Sequence, residues 1–311
     1  MSTTPRTAVP SADTAPEARA ARSFALPIAI GVTVLAWASA FVVIRAVGES
    51  LSPGPLALLR LLVGAAALGL FQLGRAWVRP SGREWGFLAA FGVLWFGAYN
   101  IGLNFAEQTL DAGTASMVVN IGPILLAIGA ALVLGERLTG RVILGAAVSF
   151  AGVLLIGVQS GAGGFDDTVG VLAAVLAAVV YTAGVLFQKP LLVRLPAAQV
   201  TFLGALAGAI VCLPFLPALV AELQVAPVAA VVGGVYLGIV PTAIAFSTWA
   251  YALQRMPAAR LGLTTYLVPP IAILLALAAF GEVPGPLAIL GGVLCLGGVA
   301  LSRKRAKAAA E

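Results

Sequence analysis

The side chains best suited to chemistry in this sequence are a few amides, aromatics and ionisable groups set inside long apolar runs. Asn100 and Asn104 stand one helical turn apart and face the same way, and Gln108 continues their stripe. Asn120 falls three residues before Pro123, near a point where a helix loses a backbone hydrogen bond. Trp37, Tyr99, Tyr181 and Tyr266 add aromatic groups inside their own runs. An amide in hydrocarbon needs a partner, supplied by a neighbouring helix or by a hydrated cavity. Trp37, Tyr99, Asn100, Asn104, Asn120, Tyr181 and Tyr266 are therefore the candidate lining of a path for a small-molecule substrate. Interhelical packing, or an interfacial aromatic belt, is their other reading.

Charged groups inside a membrane cost about 2.5 to 3.5 kcal/mol at the helix centre, so each one asks for a partner or a pathway. Arg45, Glu136, Lys189 and Glu282 all fall near helix ends. Arg45 with Glu282, and Lys189 with Glu136, are candidate gating pairs that close a cavity at its outer and inner mouths in turn. Anchoring of helix ends at the lipid headgroups is the alternative. Arg60, like Arg45, is expected toward the outer end of its helix. The chain has no histidine, no paired carboxylates within one run, and neither a GxSxG nor a Walker loop. Hydrolytic chemistry and direct use of ATP are disfavoured, and no catalytic residue, cofactor or metal is expected. Cys212 and Cys295 each sit in an apolar run outside any CxxC pattern and read as packing residues.

The elements that position these residues follow from composition. The sequence is 61% hydrophobic and only 10% charged, with a mean hydropathy of +1.06, against about 25% charged residues in soluble domains. A water-soluble fold of that composition would have no surface, so the lipid bilayer is the expected solvent. Breaks at Pro, Gly and charge clusters give ten spans at roughly 26–47, 55–73, 85–105, 113–134, 141–158, 169–188, 198–219, 228–250, 260–280 and 285–302. Residues 1–24 read as a disordered cytoplasmic tail and 303–311 as a basic one, with no room for a soluble domain. Ala38-Ser39-Ala40 resembles a signal-peptidase site, but the apolar run continues through Ile44, which favours a retained first helix.

With the N-terminus inside, the inner segments hold 16 of the 18 Lys and Arg residues, and no outer connector carries one. That alternation supports both termini on the cytoplasmic side. It also explains the net charge of +6 by topology, so nucleic acid is not an expected partner.

The chain repeats itself. Gly122-Pro123 through Gly135-Glu136 to Gly152-Val153 returns as Val268-Pro269 through Gly281-Glu282 to Gly298-Val299, 146 residues later. At an offset of 144, Trp37 aligns with Tyr181 and Arg45 with Lys189. The fold class is thus an all-α membrane protein of ten transmembrane helices in two five-helix repeats, 25–158 and 169–302. Five is odd, so the second repeat enters the bilayer from the opposite side. Inverted repeats permit two equivalent arrangements, each open to one side, which is the basis of alternating access in secondary transporters.

The run Trp37-Ala38-Ser39-Ala40-Phe41 to Arg45, then Leu59-Arg60-Leu61, Pro123 to Leu134-Gly135-Glu136-Arg137-Leu138-Thr139, and Pro269 to Gly281-Glu282 resembles the drug/metabolite transporter superfamily, specifically its EamA-type proteins. The resemblance covers about residues 25–302. It implies export or exchange of amino acids, related metabolites or toxic compounds through a central cavity, usually without ATP, in a bacterial cytoplasmic membrane. It also implies that spans 1, 3, 4, 6, 8 and 9 surround the cavity while spans 5 and 10 lie at the edge. The second-half motif reads Gly281-Glu282-Val283-Pro284, without the basic residue that follows Glu136. A channel or facilitator stays open as the alternative, as do the energy coupling and a homodimer formed through the edge helices.

Overall fold

Apolar runs of about twenty residues form helices, and prolines, glycines and charged turns end them. The computed structural model describes residues 14–110, 112–160, 165–281 and 286–303, all of it helix and turn. Helix α1 (Thr14–Val47) begins inside the segment expected to be a tail. Glu17 to Arg22 reads Glu-Ala-Arg-Ala-Ala-Arg, a run of strong helix formers that extends the apolar helix backward. The expected tail residues 1–13 and 304–311 lie outside the described residues.

Helix α2 (Pro53–Gln72) starts on a proline, whose missing N–H costs nothing at that position. Helix α3 (Gly82–Thr109) opens on a capping box between Ser81 and Glu84. The run expected at 113–134 divides into α4 (Ala112–Val119) and α5 (Gly122–Leu134), because Pro123 can start a helix but disfavours continuing one. Next come α6 (Gly140–Ser160), α7 (Phe165–Leu191), α8 (Ala197–Val225), α9 (Val228–Leu253), α10 (Ala258–Phe280) and α11 (Pro286–Arg303).

Among the described residues, seven helices are long and apolar enough to cross a membrane: Phe24–Val47 within α1, α2, α3, Thr168–Leu191 within α7, α8, α9 and α10. The other three spans expected from the sequence correspond to shorter apolar helices, Gly122–Leu134, Gly140–Gly152 and Ile289–Ser302. Large apolar side chains point outward around the molecule, Leu132 at 80% exposure among them, a surface suited to lipid and not to water.

Irregularities recur at matched places. Helices α3 and α9 each carry a π-helical stretch, Gly92–Ala98 and Gly238–Ile244, 146 residues apart. Pro241 has no N–H to give the Leu237 carbonyl, and the Thr242 hydroxyl donates to that carbonyl at 2.8 Å. In α3 the adjustment is made by Asn100, whose Nδ2 donates to the carbonyls of Phe96 at 2.7 Å and Trp95 at 3.4 Å. Helices α5 and α10 both end on a left-handed glycine, Gly135 (φ 66°) and Gly281 (φ 73°), where a side chain would be strained.

Packing follows the same pairing. A Cβ on Gly92 would lie 2.6 Å from the Gly204 carbonyl oxygen of α8, and one on Gly238 would lie 2.8 Å from the Arg60 carbonyl oxygen of α2. Arg60 and Gly204 are equivalent at the 144 offset. Helices α6 and α11 meet backbone to backbone, with Gly145 against the carbonyl of Gly298 and Gly152 against that of Gly291. Between those contacts the Ser149 hydroxyl donates to the Cys295 carbonyl at 3.2 Å, and the Cys295 thiol returns a 3.4 Å bond to the Ser149 carbonyl. As the α6 number rises the α11 number falls, so the two helices cross antiparallel.

Candidate functional site

Aromatic rings fill the middle of the bundle. Trp37 of α1, Trp95 of α3 and Phe246 and Trp249 of α9 contact one another with ring centroids 4.9 to 6.0 Å apart. Tyr181 of α7 adds its ring 5.6 Å from Trp95 and 5.9 Å from Tyr99. A Cβ on Gly122 would strike the Tyr181 ring, so this glycine is what lets α5 approach that wall.

Beside the cluster lies a cavity bounded by Trp37, Arg60, Tyr99, Asn120, Tyr181 and Thr265 together with Phe41, Trp95 and Phe246. The centres of water-sized molecules have about 50 Å³ to occupy there, enough for more than one water. Among the described residues, no acidic side chain lines it.

Of the seven candidate lining residues, the structure brings four to this cavity: Trp37, Tyr99, Asn120 and Tyr181. Trp37 is fixed by an Nε1–H bond to the Pro241 carbonyl at 3.2 Å. Asn120 Nδ2 donates to the Ser116 carbonyl at 2.5 Å, and its Oδ1 is buried without a partner. The Tyr181 hydroxyl is likewise buried and unpartnered.

The other three face elsewhere. Asn100 secures the π-helical stretch of α3, and Asn104 reaches across to α2, donating to the Pro53 carbonyl at 3.1 Å. Tyr266 packs with Val142, Ala146, Cys295 and Val299, toward the α6–α11 pair. The reason is local geometry: Leu263–Leu267 is a 3₁₀ turn, whose tighter winding rotates successive side chains relative to an α-helix. Thr265 takes the cavity-facing place instead.

Arg60, expected toward the outer end of its helix, is buried in the interior of the bundle. It sits eight residues into α2, is 3% exposed and lines the cavity. Its Nε donates to Thr242 Oγ1 at 3.3 Å, its Nη1 has no hydrogen-bond partner, and Tyr99 and Glu107 lie within its electrostatic reach. The signal for it in the sequence is a guanidinium inside the apolar run Leu56 to Leu70, which asks for a partner or a pathway. Trp95, Phe246 and Thr265 carried no such signal, since each is ordinary for an apolar helix.

Two of the four candidate gating residues meet at one turn. Lys189 Nζ donates to the carbonyls of Leu253 at 2.5 Å and Met256 at 2.7 Å, at the C-terminal end of α9. The Glu136 carboxylate accepts from the backbone N–H groups of Ala258 at 2.7 Å and Ala259 at 3.1 Å, at the start of α10. The two thus converge on one turn, each complementing a helix terminus of opposite polarity. Gln254 ties that turn to the carbonyls of Leu192 and Leu195. Nearby, Arg194 forms an ion pair with Glu84 and donates to the Arg79 carbonyl at 2.9 Å. Arg45 lies over the Phe280 ring, 5.2 Å from its centroid. Glu282 lies outside the described residues.

An apolar exterior, helices long enough to cross a bilayer and a polar group buried against a central cavity together define a multi-pass membrane protein. The model of the EamA-like transporter family matches residues 26–158 and again 168–303, and the chain belongs to that family. It is 39% identical over 89% of its length to a probable terminal-alkyne amino-acid exporter of Streptantibioticus cattleyicolor, covering 93% of that protein. It is 31% identical to an aromatic amino acid exporter of Ancylobacter novellus over 60% of this chain and 66% of the other. A solved crystal structure, 24% identical, superimposes with a TM-score of 0.72 over 90% of this chain and 96% of that one, a likeness of fold.

Proposed function

We propose that this chain is a secondary carrier that exports small amino-acid-like solutes across a bacterial cytoplasmic membrane by alternating access. In this reading ten spans form two inverted five-helix repeats, with both chain ends on the cytoplasmic side.

The observation that carries the proposal is the reciprocal crossing of the two halves. Gly145 meets Gly298 and Gly152 meets Gly291, yet Gly291 and Gly298 are themselves the 146-residue counterparts of Gly145 and Gly152, and Ser149 meets its own counterpart Cys295. Contacts exchanged in this way are the mark of a two-fold axis. Because α6 and α11 run antiparallel, that axis is perpendicular to them, in the membrane plane if they cross the bilayer. The double match to the family and the paired π-helical stretches fit the same symmetry. An arrangement of this kind can rock between two equivalent forms. Trp37, Tyr99, Asn120 and Tyr181 would contact the solute, while Lys189 with Glu136 and Arg45 with Glu282 would work the two mouths. The names of the relatives favour amino acids as the solute class and export as the direction.

Counterflow tests this. Purified protein in liposomes preloaded with unlabelled L-phenylalanine or L-propargylglycine is expected to accumulate the labelled amino acid transiently and saturably. Flux that never saturates and shows no counterflow would make the protein a channel and overturn the proposal.

A further inference from the structure

Arg60 is the feature of the cavity that packing does not account for. A guanidinium offers five N–H donors in a planar fork, and burying it is costly unless they are matched. Here Nε is held by Thr242 Oγ1, whose own hydroxyl is committed to the Leu237 carbonyl, so the plane of the fork is fixed from behind. Nη1 is left without a partner. Among the described residues no carboxylate lines the cavity, and Glu107, within electrostatic reach of Arg60, stands outside the lining, so an anion arriving there meets no like charge in the wall itself. A planar carboxylate is the ligand that a guanidinium fork accepts best.

A second unsatisfied group has the opposite polarity. Asn120 spends its amide donor on the Ser116 carbonyl, which leaves Oδ1 buried as a free acceptor. An ammonium group can donate to that oxygen while the neighbouring aromatic faces of Tyr181 and Trp37 stabilise its charge. Most of the remaining wall, Trp95, Phe246, Phe41 and Leu103, is apolar, with Tyr99 and Thr265 as its hydroxyl-bearing members. We infer that Arg60 receives the carboxylate of the transported solute and Asn120 Oδ1 its ammonium group, so that the substrate class is free α-amino acids with apolar or aromatic side chains. The inference deepens the carrier reading above and rests on it. Neither group has an equivalent in the other half: Gly204 stands where Arg60 does, and Tyr266 is turned away from Asn120's place. The solute therefore keeps one orientation whichever way the halves lean.

Binding to purified protein in nanodiscs, read by calorimetry apart from any flux, tests the assignment with L-phenylalanine, L-phenylalaninamide and 3-phenylpropionate, and with L-propargylglycine and its amide. Each amino acid is expected to bind about ten-fold or more tightly than its amide, and L-phenylalanine more tightly than 3-phenylpropionate by a similar factor. Arg60→Gln should abolish the preference of acid over amide but keep that over phenylpropionate, Arg60→Lys should keep part of the first, and Asn120→Leu should abolish only the second. A merely structural role would weaken all ligands together and leave the ratios unchanged. Equal binding of acid and amide by the unaltered protein, or no binding of either amino acid, overturns the assignment without recourse to any variant. Acid-selective binding with no counterflow would instead sink the carrier reading and leave Arg60 as an amino-acid receptor.

Discussion

The two halves of this molecule share a backbone and divide the chemistry. Where the first half has Arg60, Tyr99, Asn100, Asn104 and Glu107, the second has Gly204, Ala245, Phe246, Ala250 and Leu253 at the matching offsets. Yet both halves bend through a π-helical stretch, both cross on bare glycine and both end a helix on a left-handed glycine. Symmetry is thus kept where helices approach closely and given up among the buried polar side chains. Even the shared bend is reached by separate means. Asn100 serves the carbonyls of α3, whereas Pro241 creates the need and Thr242 answers it in α9.

Substitutions at matched positions can break this contrast. Phe246 is buried and in ring contact with Trp37, Trp95 and Phe96, so Phe246→Ala should cost about 3 to 5 kcal/mol through lost packing. A large fall in melting temperature would show it, and a small one would mean that the second half does not supply the packed core. Gly92→Val and Gly238→Val should each cost about 3 kcal/mol, since a Cβ meets a carbonyl oxygen across the helix contact in both. Equal loss of folded protein on size exclusion supports backbone equivalence, and tolerance of one but not the other contradicts it. Asn100→Ala removes a donor from buried carbonyls, for about 1 to 2 kcal/mol. Thr242→Val removes one too and also takes the acceptor from Arg60 Nε, so the larger loss in thermal unfolding is expected in the second half. The smallest effect belongs to the charge of Glu136: Glu136→Gln removes it from a helix N-terminus, worth about 0.3 to 1 kcal/mol, and also gives up one of the two bonds from Ala258 and Ala259, because an amide nitrogen cannot accept. Its stability deficit should shrink as salt is raised.

Apolar runs, prolines and glycines made the helices readable, because a bilayer imposes one length and one hydrogen-bonding solution. The repeat was readable too, since Gly145, Gly152, Gly291 and Gly298 mark close approaches that no other residue permits. Facing directions were less so. Asn100 and Asn104 share a helix stripe as expected, but that stripe addresses the π-helical carbonyls and α2, because local winding changes the phase that a 3.6-residue period assumes. Tyr266 failed for the same reason in a 3₁₀ turn. Arg60 was readable as a charge within an apolar helix, but residue type alone does not say that its side chain turns into the cavity. Lys189 and Glu136, expected to pair with each other, both bond the 253–259 backbone, and helix-terminus bonding leaves no trace in residue type alone.

The sealing of Cys295 against Ser149 has a use outside folding. Cys212 and Cys295 are both fully buried, so neither presents a thiol to a water-borne reagent. The natural protein is then chemically silent toward maleimides. Reporter cysteines placed one at a time along α1, α3 or α9 would label against a dark background, and the side of the membrane from which each becomes reachable could be mapped without first dismantling the helix pair that Cys295 holds together.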